Sequence, residues 1–137
     1  MFMPGNPQPI FCRVGDVSGN TGVISTAEMG YVFTAAAGDY SGTNGNNQII
    51  FTSDSVNGSF IQRIRFKALG TNVSSVARIY LNNGGSPTLA NNNILYGEIT
   101  LPATTGTQAT STIDLDYSMN FALNPGFTIL CGLGTSV

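Results

Sequence analysis

The stretch SFIQRIRFKAL, residues 59–69, has the two-residue alternation of a β-strand. It contains three of the five lysine and arginine residues of the chain. Arg63, Arg65 and Lys67 take every second position, with apolar residues between them. Alternate side chains of a β-strand point to opposite faces, so the pattern predicts a strand with one cationic and one core-facing side. The residues predicted to project to the opposite face are Gln62, Ile64, Phe66 and Ala68, and the apolar ones among them are predicted to pack in the core.

Similar short runs recur along the whole chain. They are rich in β-branched and aromatic residues, and clusters of Gly and Asn separate them. Many short strands with such turns and no convincing helix predict an all-β protein, a two-sheet antiparallel β-sandwich. The predicted strands are 10–14, 22–26, 31–36, 48–53, 60–69, 75–82, 94–101, 112–121 and 127–133.

Two turns bear on the order of these strands. Asn57-Gly58 suits a type I′ hairpin between 48–53 and 60–69, and Asn124-Pro125-Gly126-Phe127 suits a type II turn. Two hairpins would pair consecutive strands within one sheet, whereas a jelly roll carries consecutive strands to opposite sheets. On the residues alone, a jelly-roll-like and an immunoglobulin-like order both remain open.

The N-terminal residues differ in composition from the rest. Residues 1–9, MFMPGNPQP, carry three prolines, which cannot donate to a β-ladder. We therefore predict an extended arm over 1–9 and a single sandwich domain over 10–137. The polar segment 82–93 is predicted to be a long loop that is mobile or docked on a neighbour.

Charge and residue types narrow the function. Charged residues make up 9% of the chain against an average of roughly 25%, and the net charge is −2. Weak surface charge attracts phosphates poorly and suits a protein that works in an assembly. The chain has no histidine, the usual general base and the commonest metal ligand. We expect no enzymatic activity, no cofactor and no metal.

The location of the protein is predicted from what the sequence lacks. No basic stretch is followed by an apolar run, and no apolar run approaches the roughly 18 residues of a membrane span. We therefore expect neither a secretory signal nor a membrane partner. Cys12 and Cys131 are then expected to be reduced thiols rather than a disulfide.

The cationic face has an anionic counterpart in DLDYS, where Asp114 and Asp116 also alternate. Strands 60–69 and 112–121 are neighbours in several sandwich layouts, so we predict a cross-strand ion ladder of Arg63, Arg65 and Lys67 with these two carboxylates. Docking on an acidic protein surface is the alternative. Nucleic-acid binding is disfavoured, because three cations face seven acids in the chain and lack aromatic neighbours on their face.

Other chemistry finds little support. Glu98 with Asp114 or Asp116 would need to stand about 5–9.5 Å apart to act as a glycosidase pair, and surface charges explain them more simply. Asp39 and Asp54 lie in or beside polar loops, but no calcium-loop motif accompanies them. Tyr40, in the loop GDYSG, is the best candidate for an exposed contact to a sugar; Tyr80 and Tyr117 are expected at the edge of the core.

Three blocks carry a family resemblance: GSFIQRIRFKALGTNVSSVARIYLNNGG (58–85), LYGEITLPAT (95–104) and NFALNPGFTILCGLGT (120–135). Across residues 48–137 the chain resembles small structural proteins of tailed bacteriophages, in particular capsid decoration (cement) proteins. The resemblance implies a sandwich that is often jelly-roll-like, so we expect that order, with the immunoglobulin-like order as the alternative.

The same resemblance implies a homo-oligomer, typically a trimer, on the outer surface of a phage head. Its partner would be the major capsid protein, and the protein would be made in the host cytoplasm and end in the virion. The resemblance carries no catalytic residues. The arm would contact the shell or a neighbouring subunit, through Phe2, Pro4, Pro7 and Pro9. A glycan-binding sandwich of a phage tail or adhesion protein is the alternative.

Overall fold

The structure, a computed structural model, describes Phe33, Ala36 and residues 40–137. In this part of the chain, two antiparallel sheets pack against each other, which confirms the predicted all-β sandwich. The strands are β1 (Gln48–Thr52), β2 (Ser59–Lys67), β3 (Ser75–Asn82), β4 (Asn93–Leu101), β5 (Asp114–Leu123) and β6 (Thr128–Leu133). The predicted strands 10–14 and 22–26, most of 31–36, and the arm over 1–9 lie outside the described residues.

The strand order is jelly-roll-like. One sheet has the order β1-β6-β3-β4 and the other pairs β2 with β5. Among the described strands, β3 and β4 are therefore the only consecutive pair within one sheet. In the immunoglobulin-like alternative, the last two strands would share a sheet. Here β5 and β6 lie in different sheets, and β6 pairs with β1 and β3 instead.

The Asn57-Gly58 hairpin predicted from the sequence is wrong, because β1 and β2 belong to different sheets. The loop crosses the sandwich instead, and Asp54 Oδ1 accepts hydrogen bonds from the backbone N–H groups of Val56 (2.9 Å) and Asn57 (2.7 Å). The predicted type II turn is present. Phe127 N donates to Asn124 O at 3.1 Å and Gly126 has φ +74°, but this turn too connects opposite sheets.

The core lies between the two sheets and contains side chains from both. Its central buried cluster consists of Ile61, Ile79, Met119, Leu123 and Ile129. A second cluster at one end consists of Ala77, Cys131 and Leu133, against which Phe33 packs. Burial of this apolar surface is the main force that holds the two sheets together.

β3 is buried on both faces. Tyr80 points away from the core clusters, yet it is fully buried rather than at the core edge as predicted. The segment that contains Gly42 covers it: a Cβ at Gly42 would lie 2.8 Å from Tyr80 Cδ1. Tyr117 on β5 is half-buried, and its hydroxyl lies against Gly97 of β4. Both glycines make room for a tyrosine ring.

A bulge in β5 lies opposite Gln62 of β2 and affects the face on which Gln62 lies. Ile61 pairs with Phe121, but Arg63 pairs with Ser118, so β5 has one extra residue opposite Gln62. Asn120 has φ +53° at this point. Gln62 is exposed. The prediction that Gln62 shares a face with Ile64 and Phe66 is therefore wrong, because the bulge interrupts the simple alternation.

The loop 82–93, predicted to be mobile or docked on a neighbour, is held by hydrogen bonds within itself. Asn82 Nδ2 donates to Asn93 Oδ1 at 2.8 Å, and Asn92 Nδ2 donates to Ser86 O at 3.0 Å. A short 3₁₀ turn, Ala90–Asn92, completes the loop. Because the amide side chains bond to their own loop, it has a defined shape without a neighbour.

Candidate functional site

The ion-ladder residues lie on the outward face of the two-stranded sheet. β2 and β5 pair antiparallel, with Lys67 opposite Asp114 and Arg65 opposite Asp116. Ile64 and Phe66 of β2 and Tyr117 of β5 point the other way and pack against the core. The antiparallel register therefore brings together all five residues that the sequence predicted to form a ladder.

The two arginine pairs run diagonally across the strands, whereas Lys67 pairs with the residue directly opposite. Arg63 Nη1 lies 2.8 Å from Asp116 Oδ2, and Arg65 binds Asp114 through Nε at 3.0 Å and Nη2 at 2.8 Å. Lys67 Nζ lies 3.5 Å from Asp114 Oδ2 and donates to Thr112 O at 2.8 Å. Asp114 thus pairs with two cations and Asp116 with one.

The ladder shifts the ionisation of its own members. The hydrogen bond from Arg65 lowers the pKa of Asp114, which partial burial opposes and the charges of Arg65 and Lys67 reinforce. The hydrogen bond to Asp114 also raises the pKa of Arg65. These side chains stay roughly half-exposed, so solvent screens the pairs. The three cations are paired with carboxylates of the same sheet. This pairing supports a role in fixing the register of β2 against β5 rather than in binding phosphate.

A second constellation surrounds Arg78 on the outward face of the four-stranded sheet. Its side chain is only 13% exposed, and Nε donates to Glu98 Oε1 at 2.9 Å. The guanidinium carbon lies 4.1 Å from the ring centroid of Tyr40, while a Cβ at Gly134 would lie 3.5 Å from Nη2. Burial lowers the pKa of Arg78, but hydrogen bonds to Glu98 and Tyr40 outweigh it, so the pKa is raised. Arg78 therefore ties three parts of the chain together.

Tyr40 is exposed, as predicted, with 61% of its surface accessible. Arg78 covers one face of its ring. Beside Arg78 lies a shallow depression of about 320 Å³, to which Ser74, Thr100 and Thr135 contribute. No pattern in the sequence connects Tyr40 with Arg78 and Glu98. The alternation of Arg78 with Ala77 and Ile79 predicts that Arg78 points outward. It does not predict which residues Arg78 contacts.

The carboxylates do not form the glycosidase pair considered from the sequence. Glu98 lies on the outward face of one sheet with Arg78, and Asp114 and Asp116 lie on the outward face of the other. The core separates them. Asp54 is engaged in its own turn, and Asp39 lies outside the described residues. Among residues 40–137, no three Cys, Asp or Glu side chains gather as metal ligands would.

Cys131 is a free, buried thiol, and burial raises its pKa to about 12. At neutral pH such a thiol is protonated and unreactive. Cys12 lies outside the described residues, as do the predicted arm contacts Phe2, Pro4, Pro7 and Pro9.

In the part of the chain that the structure describes, no helix is long and apolar enough to cross a membrane. Comparisons of the chain with protein-family models, with curated proteins and with solved structures found no match.

Proposed function

We propose that the protein is a non-enzymatic virion structural protein, a homo-oligomeric capsid decoration or cement protein that is trimeric, as the family resemblance implies. It binds the major capsid protein on the outside of a phage head and stabilises the shell. The observation that carries this proposal is an apolar patch at one end of the sandwich, formed by Leu69, Val73 and Ile113, which are all exposed. We call this patch the apolar end.

The apolar end is held by one backbone hydrogen bond between its two loops and one side-chain hydrogen bond within a loop. Ala68 N donates to Ile113 O at 3.1 Å, and Asn72 Nδ2 donates to Leu69 O at 3.3 Å. Exposed apolar patches on a folded domain mark contact surfaces. Because charged residues make up only 9% of the chain, little charge repulsion opposes such a contact.

The carboxylates support a non-enzymatic role. The four within residues 40–137 all have structural partners: Asp54 in its turn, Glu98 with Arg78, and the two aspartates of the ladder. None is left as a general acid or base beside a second carboxylate. The proposed contacts of the arm, through Phe2, Pro4, Pro7 and Pro9, would add to those of the apolar end.

The test uses capsid shells and purified protein. Light scattering after size-exclusion chromatography measures the oligomer, and thermal inactivation of shells measures stabilisation. Leu69→Asp should weaken shell binding and stabilisation, while Val56→Asp should not, because Val56 lies in the β1–β2 loop at the opposite end of the molecule. A monomer that never binds shells would overturn the proposal.

A glycan-binding role is the second candidate, and the exposed Tyr40 favours it. Arg78 holds one face of the ring, and hydroxyl-bearing side chains lie near Arg78 in the shallow depression. Aromatic rings that are held in place bind sugars at low entropic cost. A glycan-array signal that Tyr40→Ala abolishes would support this role over the decoration role.

A further inference from the structure

One flank of the sandwich leaves apolar side chains uncovered. Ile94 of β4 pairs directly with Leu81 of β3, so both side chains lie on the same face of the sheet. Leu81 packs against the central core cluster, which makes this the core-facing side. Ile94 is nevertheless 65% exposed. A core-facing isoleucine in contact with solvent indicates that a covering element is needed there.

Tyr96 lies beside Ile94 and is also an incompletely covered apolar side chain. It is the extra residue of a β4 bulge, since Ile79 pairs with Gly97 and Tyr80 with Leu95. Its ring packs against Phe121 and Tyr117 of β5, with centroid distances of 5.2 and 6.3 Å. Even so, 41% of Tyr96 is exposed. We call the surface formed by Ile94, Tyr96 and the neighbouring edge of β5 the open flank.

The open flank follows from unequal sheets. One sheet has four strands, and the other has two within the described residues. β5 pairs with β2 along one edge and has no strand partner along its other edge among residues 40–137. An unpaired strand edge presents backbone N–H and C=O groups that can accept a further strand.

We propose that residues 10–14, IFCRV, add as a strand to the free edge of β5 and cover Ile94 and Tyr96. Ile10, Cys12 and Val14 alternate with Phe11 and Arg13. On a strand beside β5, the first set would face the apolar flank and Arg13 would share the outward face with Asp114 and Asp116.

Charge supports this choice of segment. Of the five lysine and arginine residues in the chain, four form ion pairs within the described residues. Arg13 is the fifth, and the outward face of β5 carries the two aspartates. A cation on a neighbouring strand would strengthen the ladder without placing like charges together.

The chain is long enough to reach the flank. Phe33 packs against the core cluster of Ala77, Cys131 and Leu133, which fixes where the N-terminal region joins the sandwich. The 18 residues between Val14 and Phe33 span up to about 60 Å when extended, roughly twice the length of a nine-residue strand. The strand can therefore come from the same subunit or from a neighbour.

Disulfide trapping with the native Cys12 tests the proposal in the full chain. Cys131 is buried, so Cys12 is the thiol that can react with a cysteine introduced on the flank. Ile94→Cys treated with diamide should form a disulfide with Cys12, detected by peptide mass spectrometry. A link within one chain or between two chains supports the docked strand, and the two are told apart by mass on non-reducing gels.

Leu69→Cys is the matched control, because Leu69 is 63% exposed but lies at the opposite end of β4 and β5. Equal yields at both positions, or no link at Ile94→Cys, would overturn the proposal. The double variant Cys12→Ser, Ile94→Cys detects a second copy on the flank: a dimer linked through position 94 would also overturn it. None of these results depends on shell binding, so they are independent of the proposed function.

Discussion

At the residue scale, Asp114 carries more of the ion ladder than any of its neighbours. It accepts two hydrogen bonds from Arg65 and lies 3.5 Å from Lys67 Nζ, whereas Asp116 pairs with Arg63 alone. The direct register partner of Arg65 is Asp116, so the pairing reflects side-chain reach rather than strand register. The planar fork of arginine favours this two-point contact with one carboxylate.

Asp114→Asn should therefore lower the thermal midpoint of unfolding at pH 7 by more than Asp116→Asn does. The pKa of Asp114 is lowered below its ordinary value of 3.8 in the folded protein. Its contribution is then fully present above that value and is lost as pH falls through the lower, folded pKa. The difference between the wild type and Asp114→Asn should shrink on acidification below about pH 4.

Calorimetry of the two variants between pH 7 and pH 2.5 measures this difference, and Asp116→Asn serves as the matched control. If both substitutions have equal effects at every pH, the second cation beside Asp114 adds nothing to stability.

Gly97 is a second residue whose role is local. A Cβ at this position would overlap the hydroxyl of Tyr117 and lie 2.8 Å from its Cζ. Gly97→Ala should destabilise the protein by about 1–3 kcal/mol, the usual cost of overpacking. Tyr117→Phe in the same chain should restore part of the loss, because the clashing oxygen is gone.

Urea unfolding of the two single variants and the double variant gives the coupling between the positions. Additive effects would mean that Gly97 and Tyr117 are not in contact.

At the element scale, the β5 bulge shifts the register between the two strands of the two-stranded sheet by one residue. The extra residue lies opposite Gln62, and Asn120 adopts φ +53° there. Asparagine tolerates this left-handed region, while β-branched residues do not. Beyond the bulge, the register again aligns Arg65 and Lys67 with the two aspartates.

Asn120→Val should therefore destabilise the protein by about 1–2 kcal/mol, and Asn120→Gly should be close to neutral. Ala122→Val is the control, since Ala122 is also exposed on β5 but is not among the residues with positive φ. Chemical denaturation gives the free energies. Equal effects of valine at the two positions would show that the left-handed backbone is not required.

At the scale of the whole molecule, one core joins both sheets. Ile79 of β3 is fully buried in a cluster that also contains Ile61 and Met119 from the opposite sheet. Removal of its side-chain carbons would leave a cavity that neither sheet can fill alone. Unfolding should then be a single cooperative event rather than one sheet at a time.

Ile79→Ala should cost about 2–5 kcal/mol, with far-ultraviolet circular dichroism and tyrosine fluorescence reporting the same transition. Val56→Ala, at a loop position that is 77% exposed, should change stability by less than about 0.5 kcal/mol. Separate transitions for the two probes would contradict a shared core.

The amino-acid sequence by itself determined the strand class, most strand positions and the ladder. Alternation within SFIQRIRFKAL and DLDYS is a local property, since side chains two apart on a strand share a face whatever the strand pairs with. Complementary charge then predicted that the cations of SFIQRIRFKAL pair with the two aspartates of DLDYS. The type II turn at Asn124 followed from the conformations that proline and glycine permit.

Only the tertiary structure decided which carboxylate each arginine binds, that Gln62 is exposed, and that Tyr80 is buried. These depend on bulges and on segments distant in sequence, such as the loop at Gly42 that covers Tyr80. The residues of the turns likewise could not predict that consecutive strands lie in opposite sheets. A turn constrains four residues, whereas the choice of sheet is made by the apolar surface that the whole strand buries.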